Sequence, residues 1–394
     1  MNVAFYTLLY IMAGLYIHIP FCASRCVYCG FYSTTYGQLK QAYVDALCKE
    51  IEELEGGQSI DTVYLGGGTP SQLTIEQLEL LLQKVGKHFS LSQNAEITME
   101  CNPDDITLDY AESMQELRVN RVSLGIQTFD DARLHFLHRR HTASQAISAV
   151  STLRQTGFDN ISVDLMFGFP DESLDEWERD IRKAVNLDVK HISAYSLMYE
   201  EGTPLYNQLQ AGFVKEIDEE LSLKMYEILI DHLTSAGFEH YEISNFAKLP
   251  SIGTDSFSSF RSRHNSSYWK GIPYFGIGAA AHSYDGQRRW WNKSDLHQYI
   301  FDIQSGESPV EESEWLSQEM KYNDMVTTAL RTCEGIDVGK VLNEFGMSFR
   351  DYIMKSATQH LQRGTLSLDN GRLRLTRQGL FVSNDIMSDL VFVS

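Results

Sequence analysis

The chain has 394 residues, of which 43% are hydrophobic and 22% are charged, and its formal net charge is −20. This length suits one large α/β domain with a smaller second domain, and the apolar fraction is sufficient for a buried core. A charge this negative disfavours unaided binding to nucleic acid, which depends on Lys and Arg contacts to phosphates. We therefore expect no nucleic-acid partner.

The first residues form an apolar run that is too short to span a bilayer and holds no Lys or Arg before Cys22. We predict neither a secretory signal nor direct membrane insertion. Met12 is an alternative start, so residues 1–11 are predicted to be either a loose N-terminal extension or the result of an overlong gene model. Six cysteines in a chain of this size do not make a disulfide framework, which favours a reducing, cytoplasmic location.

Short apolar segments rich in β-branched and aromatic residues alternate with helical patterns in the first half of the chain. The predicted strands are residues 15–19, 62–65, 96–100, 121–126, 161–167 and 191–197. The predicted helices between them include residues 39–54, 75–89, 108–117, 143–156 and 174–186. Such a repeat is typical of parallel strands with helical crossovers. Six units predict an α/β fold with a partial (β/α)6 TIM-like barrel, within residues 12–300.

The remainder of the chain has a different pattern. Residues 249–262 are rich in Ser, Gly and Pro and are predicted to form a loop. Helical patterns at residues 318–332 and 338–345 precede a predicted hairpin at 366–375, whose turn is Asn370-Gly371. We expect residues 301–394 to form a small α+β domain of winged-helix type.

Three cysteines, Cys22, Cys26 and Cys29, are spaced C-x3-C-x2-C after the first predicted strand. Soft thiolates match iron, and three of them can hold three irons of a 4Fe-4S cluster while the fourth iron stays open to a ligand. A structural zinc site is the alternative, with His18 as a fourth ligand.

Glycine and polar residues follow several of the other predicted strands. Because the carboxyl ends of parallel strands meet at one rim, where barrel proteins place their sites, we expect these residues to share one site. Glycine lets the backbone approach a ligand closely, and a strand-end carboxylate can bind ribose hydroxyls. The site residues predicted on this basis are Gly67, Gly68, Thr69, Glu100, Gln127 and Asp164. The alternative role for Glu100 is a salt bridge within the barrel. A further candidate residue, Arg139, could instead cap a helix end.

The segment Tyr16-Ile-His-Ile-Pro-Phe-Cys22-x3-Cys26-x-Tyr28-Cys29 closely resembles the opening of the radical S-adenosylmethionine (SAM) family, in the branch of oxygen-independent coproporphyrinogen III oxidases and heme chaperones. The resemblance implies a 4Fe-4S cluster whose open iron is chelated by SAM, which an electron from the cluster cleaves to a 5′-deoxyadenosyl radical. It also implies that Gly66-Gly67-Gly68-Thr69-Pro70 contacts the amino end of SAM. Tyr16 and Tyr28 are expected beside the cluster, and Gln127, Arg139 and Asp164 resemble residues around a second SAM of the oxidases.

Three features separate the two activities of this branch. The oxidases carry a further cysteine where this chain has Phe31, and they have a longer segment before the cluster motif than the 21 residues found here. The segment His264-Asn265-Ser266-Ser267-Tyr268-Trp269 matches HNxxYW, a hallmark of the heme chaperones. His264 could supply an axial ligand to heme iron, and Tyr268 and Trp269 could supply flat faces for the porphyrin. The alternative ligands are His282, His240 and His18.

We therefore expect a heme chaperone that binds a 4Fe-4S cluster, SAM and heme, and delivers heme to an acceptor protein, either soluble or membrane-bound. We assign no catalytic residue and expect little or no coproporphyrinogen oxidase activity. The competing hypotheses are an oxygen-independent coproporphyrinogen III oxidase, another radical SAM enzyme, and an inert structural barrel.

Overall fold

The computed structural model describes residues 13–250 and 260–393. The predicted N-terminal extension of residues 1–11 lies outside these ranges. So do residues 251–259 of the predicted loop.

Six parallel strands form the centre of the main domain, and they are neighbours in chain order. The strands are β1 (Ala13–Ile19), β2 (Ser59–Gly67), β3 (Ser90–Cys101), β4 (Arg121–Gln127), β5 (Ile161–Phe167) and β6 (His191–Ser196). The helices between them are α1 (Lys40–Glu53), α2 (Ile75–His88), α3 (Leu108–Glu116), α4 (Asp131–Phe136), α5 (Ala143–Gln155) and α6 (Leu174–Asn186). The predicted partial (β/α)6 barrel is thereby confirmed.

The sequence determines these elements through burial and helix capping. Strand β5 is buried at every position except Asp164, as expected for a parallel strand covered on both faces. Three crossover helices begin with a capping box, in which a Ser or Thr side chain and a Gln or Glu three residues later satisfy backbone N–H groups at the helix start. The caps are Thr74, Thr142 and Ser173.

Further short strands extend the parallel sheet at both edges, one of them parallel to β1 and the others antiparallel to their neighbours, and these were not predicted. The elements of this region are α7 (Pro204–Gln210), α8 (Glu219–Ser235), β7 (Phe238–Glu242), β8 (Asn245–Lys248), α9 (Arg263–Trp269), β9 (Tyr274–Ile277), β10 (His282–Tyr284), β11 (Arg288–Asn292), α10 (Leu296–Ser305) and β12 (Val310–Trp315). The resulting strand order is β12-β11-β10-β9-β1-β2-β3-β4-β5-β6-β8-β7.

The C-terminal domain has its own core and its own small sheet. Its elements are α11 (Gln318–Ala329), β13 (Ile336–Asp337), α12 (Val338–Phe345), α13 (Met347–Arg363), β14 (Leu366–Asp369), β15 (Arg372–Leu375), α14 (Arg377–Leu380) and α15 (Ser383–Leu390). The predicted hairpin is β14–β15, and Asn370 and Gly371 both have positive φ, as a type I′ turn requires.

The boundary between the domains remains a proposal. Residue 301 falls within α10, whose Tyr299 and Ile303 pack in the core of the main domain, and β12 pairs with β11 of the main sheet. The second core draws on residues from Tyr322 onward. We therefore propose a boundary just before α11 rather than at residue 301.

Candidate functional site

The cysteine motif lies on the loop that follows β1, and all three thiols are free and partly exposed. Backbone hydrogen bonds hold this loop in place. Cys22 N donates to Thr34 O at 2.9 Å, and Val27 N donates to Leu137 O at 3.3 Å. The Val27 carbonyl in turn accepts from Leu205 N at 2.9 Å. The loop is thus anchored to surrounding segments, and the thiols project from a fixed backbone at the carboxyl end of the barrel.

Two polar side chains lie against the thiols. Thr69 Oγ1 is 3.4 Å from Cys22 Sγ, and Arg139 Nη1 is 3.6 Å from Cys26 Sγ. Burial raises the pKa of the Cys22 and Cys29 thiols, while Thr69 lowers the pKa of Cys22. Thiols whose burial disfavours the anion need a cationic ligand to become thiolates, and iron would meet that need.

The donor set fits a cluster better than a single zinc ion. Zinc ligands lie about 2.0–2.3 Å from the ion and must converge on one point. A structural zinc site also needs four ligands, and the motif supplies three thiols. His18 is also engaged, because Nδ1 lies 2.9 Å from Tyr16 Oη and Nε2 lies 3.1 Å from Tyr32 O. In a cubane each thiolate binds a different iron, so the three thiols need not converge.

The glycines at the end of β2 form a cradle beside this loop. A Cβ on Gly68 would lie 2.7 Å from the carbonyl carbon of Pro20, and Gly68 N donates to Ile19 O at 2.9 Å. Gly67 has φ +112°, and a Cβ there would lie 2.5 Å from the His18 ring. Both positions require glycine, because a side chain at either one would collide with the segment that leads into the cysteine loop.

Glu100 ends β3 next to the glycines and is held by two donors. Tyr64 Oη donates to Oε1 at 2.7 Å, and Gly67 N donates to Oε2 at 3.1 Å. Burial raises the pKa of Glu100 to about 7, although these hydrogen bonds act to lower it. Each carboxylate oxygen keeps a lone pair for a further donor, such as a ribose hydroxyl.

Arg139 connects the cysteine loop to the strand ends. Its Nη2 donates to Asn102 Oδ1 at 2.7 Å and to Gly125 O at 2.6 Å, while its buried Nε has no partner in the described part of the chain. Gln127 has φ +70°, an unusual conformation for a residue with a side chain. A Cβ on Gly125 would lie 2.9 Å from Gln127 Nε2 and 3.2 Å from Arg139 Nη2, so glycine allows both side chains to approach. The orphan Nε fits an anionic group at this position.

The remaining predicted site residues lie deeper in the barrel or under the loop. Asp164 lies 3.4 Å from Ser123 Oγ, and burial raises the pKa of Asp164 to about 6. Tyr16 lies between His18 and Tyr64, with its ring centroid 6.2 Å from that of Tyr64. Tyr28 packs in a small apolar cluster beneath the loop, where burial raises its pKa.

The HNxxYW residues lie on α9, toward the amino ends of the strands. Glu96, in β3, accepts hydrogen bonds from the N–H groups of Arg263 and His264 at 3.0 and 3.1 Å. His264 Nδ1 lies 2.8 Å from Thr62 Oγ1, five residues before Gly67 along β2. Helix α9 is therefore not part of the cysteine rim, and the structure separates the predicted residues into two sites.

The imidazole of His264 is buried and fully engaged. It is 1% exposed, and its Nε2 lies 2.8 Å from Tyr268 Oη while Nδ1 faces Thr62. Its ring stacks on Tyr64 with centroids 5.1 Å apart. Burial lowers the pKa of His264 to about 3. In this arrangement the imidazole offers no open nitrogen to an axial metal.

The alternative histidines differ in their surroundings. His240 stacks on Phe246 at 4.4 Å, and its Nε2 lies 3.0 Å from Ile243 O. His282 is exposed and stacks on Trp291 at 5.5 Å. His18 is hydrogen-bonded at both nitrogens.

Comparison with known proteins identifies the family. The profile of the radical SAM superfamily matches residues 16–184, and that of the HemN C-terminal domain matches residues 316–382. The heme chaperone HemW of Lactococcus lactis subsp. lactis is 34% identical over 372 residues, which cover 94% of this chain and 95% of that protein. The chain belongs to the HemW family of radical SAM proteins. HemW of Bacillus subtilis is 33% identical, with 95% and 98% of the two chains covered.

Among solved structures, coproporphyrinogen III oxidase (HemN) of Escherichia coli shares the fold of this HemW-family chain. Its TM-score is 0.83 at 21% identity, over 96% of this chain and 90% of HemN. The radical SAM profile and the identity to the HemW proteins confirm the family resemblance drawn from the motifs. At this identity the match to HemN establishes the fold and not the activity.

Two of the residues that contact the predicted site residues, Tyr64 and Ser123, were not predicted from the sequence. Tyr64, Asn102 and Ser123 hold Glu100, Arg139 and Asp164 respectively. Tyr64 and Ser123 lie within strands, where polar or aromatic residues give no sign of which face they occupy. Asn102 directly follows β3, so its place at the rim does follow from the sequence.

In the residue ranges that the structure describes, no helix is long and apolar enough to cross a membrane.

Proposed function

We propose that this HemW-family chain carries heme to an acceptor protein and holds a 4Fe-4S cluster and SAM at a separate site. Cys22, Cys26 and Cys29 would each bind one iron of the cluster. The cluster with SAM would supply one-electron and radical chemistry when bound.

The residues of the rim would hold SAM. The cradle of Gly67, Gly68 and Thr69 would receive its amino end, and Glu100 would accept hydrogen bonds from its ribose. Arg139, through its unpaired Nε, would donate to an anionic group at the rim. Gln127 and Asp164 would complete the surroundings, with Tyr16 and Tyr28 packed beside the cluster.

Tyr268 and Trp269 would contact heme, with His264 behind them. Both aromatic residues line a cleft of about 1240 Å³ between α9, β9–β11 and the C-terminal domain. This volume and these flat faces suit a porphyrin.

The observation that carries this proposal is the separation of the cleft from the thiols. Tyr274, in the cleft wall, pairs with Gly14 near the start of β1, whereas Cys22 follows the end of β1. At about 3.3 Å per residue, roughly 20 Å lies between the two ends. Hydrogen abstraction needs the reacting atoms almost in contact, so this separation disfavours reaction of a porphyrin in the cleft beside the thiols. The arrangement favours carriage of heme over oxidation of a porphyrinogen. A second difference from the oxidases is Phe31, which stands where they have a cysteine and is 74% exposed.

The test is an anaerobic reconstitution followed by two assays on the same sample. We expect stoichiometric heme binding, seen as a Soret band, and little conversion of coproporphyrinogen III with SAM and reductant. Vinyl products formed at an enzymatic rate, with no heme binding, would instead establish the oxidase hypothesis.

The acceptor and the location are also proposals. The cluster thiols need a reducing compartment, which supports the cytoplasm. The acceptor would be a heme-binding protein, either soluble or membrane-bound, and capture of the heme-loaded chain by candidate acceptors would test it.

A further inference from the structure

The two faces of the parallel sheet differ in polarity. Successive residues of a strand point to opposite faces, and partners in the register of parallel strands point to the same face. Ile97, Val122 and Val163 lie on the face that packs against the helices, in the main core. The opposite face lines the barrel lumen and is polar, and the residues on it that matter here are Tyr64, Thr98, Glu100, Arg121, Asp164 and His191.

Arg121 begins β4 and points into this lumen. Only 2% of the residue is exposed, and among the described residues its guanidinium forms no ion pair and donates no hydrogen bond. Its Nε is completely buried. A buried charge without a partner is costly, because nothing replaces the hydration that it has lost. Arg121 therefore requires an anionic partner.

The two carboxyl groups of the lumen are held by other donors. Tyr64 Oη donates to Glu100 at 2.7 Å, and Ser123 Oγ lies 3.4 Å from Asp164. Burial raises the pKa of both carboxyl groups, and the charge of Arg121 lowers it by a smaller amount from a distance. Neither carboxyl group forms an ion pair with the guanidinium, so neither occupies its donors.

The imidazoles near Arg121 are neutral and already bonded. His191 Nδ1 lies 2.7 Å from Ser162 Oγ, and Nε2 lies 2.8 Å from Tyr241 Oη. Burial, and after it the charge of Arg121, lowers the pKa of His191 and of His264. The surroundings of the guanidinium thus hold no second cation that would compete for an anion.

Thr98 supplies a second donor beside the guanidinium. It is the partner of Arg121 in the register of β3 and β4, so the two side chains are neighbours on the inner face. Thr98 is fully buried, and its Oγ1 has no hydrogen-bond partner in the described part of the chain. A guanidinium binds a carboxylate through two parallel hydrogen bonds, and an adjacent hydroxyl can donate a third. This pair of unused donors fits a carboxylate.

The lumen above these donors opens to solvent at the rim. Tyr195, two residues after Ser193 on the inner face of β6, is 41% exposed, and Glu100 is partly exposed. Thr98 precedes Glu100 by two residues, which places Thr98 roughly 7 Å below the rim at about 3.3 Å per residue. A carboxylate bound at this depth leaves space for a chain of a few carbon atoms below the rim. The depth therefore favours a short-chain organic acid.

We propose that the barrel lumen holds a further binding site, in which the Arg121 guanidinium and the Thr98 hydroxyl bind the carboxylate of a short-chain organic acid. The carbon chain of the acid points toward the rim and ends at the level of Glu100. This site is separate from the cleft beside α9, and the inference does not rest on the proposed carriage of heme.

The experiment measures binding of propionate to the full chain by saturation-transfer NMR, with propionamide as an uncharged molecule of the same shape. We expect propionate to bind at least about tenfold more tightly than propionamide, because only the carboxylate neutralises the guanidinium. Equal affinities for the two molecules, or no binding of propionate, would contradict the proposal.

Three variants locate the binding site. Arg121→Met removes the charge and should weaken propionate binding at least about tenfold without changing propionamide binding. Thr98→Val removes only the hydroxyl and should weaken propionate binding severalfold, so it tests the site even if Arg121→Met does not fold. Arg118→Met, at an exposed arginine three residues before Arg121, is the matched control and should keep the wild-type affinity. Propionate binding that survives both substitutions in the lumen would place the ligand elsewhere.

Unfolding by urea distinguishes ligand binding from a purely structural role of Arg121. Arg121→Met should keep its midpoint at or above that of the wild type, because a hydrocarbon replaces an unpaired buried charge. Propionate should raise the midpoint of the wild type but not that of the variant. A lower midpoint in the variant, together with no response of the wild type to propionate, would make Arg121 a counter-charge for Glu100 and Asp164 and overturn the proposal.

Discussion

Tyr64 donates a 2.7 Å hydrogen bond to Glu100, and its ring stacks on His264 with centroids 5.1 Å apart. One side chain therefore contacts both the carboxylate at the cluster rim and the imidazole beneath the cleft. Because burial raises the pKa of Glu100 to about 7 and the Tyr64 hydroxyl lowers it, this hydrogen bond sets how much of the carboxylate is ionised near neutral pH.

Tyr64→Phe should weaken SAM binding at pH 7 by about fivefold, since a hydrogen bond contributes on the order of 1 kcal/mol. The affinity of the wild type should rise with pH through about 7, as Glu100 loses its proton and becomes the acceptor for ribose hydroxyls. In the variant the pKa of Glu100 is higher, so the rise moves to higher pH. Calorimetric titrations with SAM at several pH values measure this. Tyr110→Phe, which removes a phenol hydroxyl that donates to Leu73 O, is the control. If the plots of SAM affinity against pH were superimposable for the wild type and Tyr64→Phe, the role of Tyr64 would be contradicted.

Cys26→Ala should abolish the 4Fe-4S cluster, because the loop then supplies only two thiolates. Cys48→Ala, a substitution in α1, should leave iron and acid-labile sulfide at the wild-type ratio per chain. Metal and sulfide analysis after anaerobic preparation measures both. Zinc without sulfide in the wild type would overturn the cluster assignment.

The parallel strands were predictable because burial on both faces makes each of them a continuous apolar run, as in Ile161–Phe167. The antiparallel strands at the edges of the sheet were not predictable in this way. Strand β12 has the sequence VEESEW and is mostly exposed, so it carries no hydrophobic signal. It forms because β11 offers an unpaired edge, and pairing between distant segments of a chain is invisible to local pattern.

The residues of the site also divide into those that the sequence predicts and those that it does not. The rim residues were found because the ends of parallel strands must converge, but the surroundings of His264 depend on Thr62, Glu96 and Tyr64, which come from other segments of the chain. The motif HNxxYW identifies residues one helical turn apart and says nothing about which of them is buried. The distinction between His264 and Tyr268 therefore needed the structure.

Gly68→Ala should destabilise the protein and weaken SAM binding. The added Cβ would lie 2.7 Å from the Pro20 carbonyl carbon, at the start of the cysteine loop, so this loop must shift. Overpacking of this kind costs about 1–3 kcal/mol of the free energy of unfolding. Gly86→Ala is the matched control, since a Cβ there meets nothing within 4 Å and the helix α2 should gain up to about 1 kcal/mol. Urea unfolding and SAM titration of both variants measure the effects, and equal stabilities would refute the close approach at Gly68.

Because the buried imidazole of His264 resists protonation, the free energy of unfolding should fall in mild acid. Burial, followed by the charge of Arg121, lowers the pKa of His264 to about 3 in the fold, from about 6.5 in the unfolded chain. Between these values the unfolded chain binds a proton that the native state does not bind. The stability associated with the neutral imidazole is therefore complete above pH 6.5 and is lost as the pH falls towards 3.

His264→Gln removes this titration while retaining a side chain that can form hydrogen bonds. Between pH 6.5 and 4.5, the wild type should lose about 2 kcal/mol more of its free energy of unfolding than the variant loses. The other buried histidines, such as His18 and His141, titrate in both proteins and cancel in the difference. Urea unfolding at matched cluster content across this pH range measures it. Parallel pH profiles would mean that His264 is already accessible to protons in the native state, and the buried Tyr268–His264 pair would then have to be abandoned.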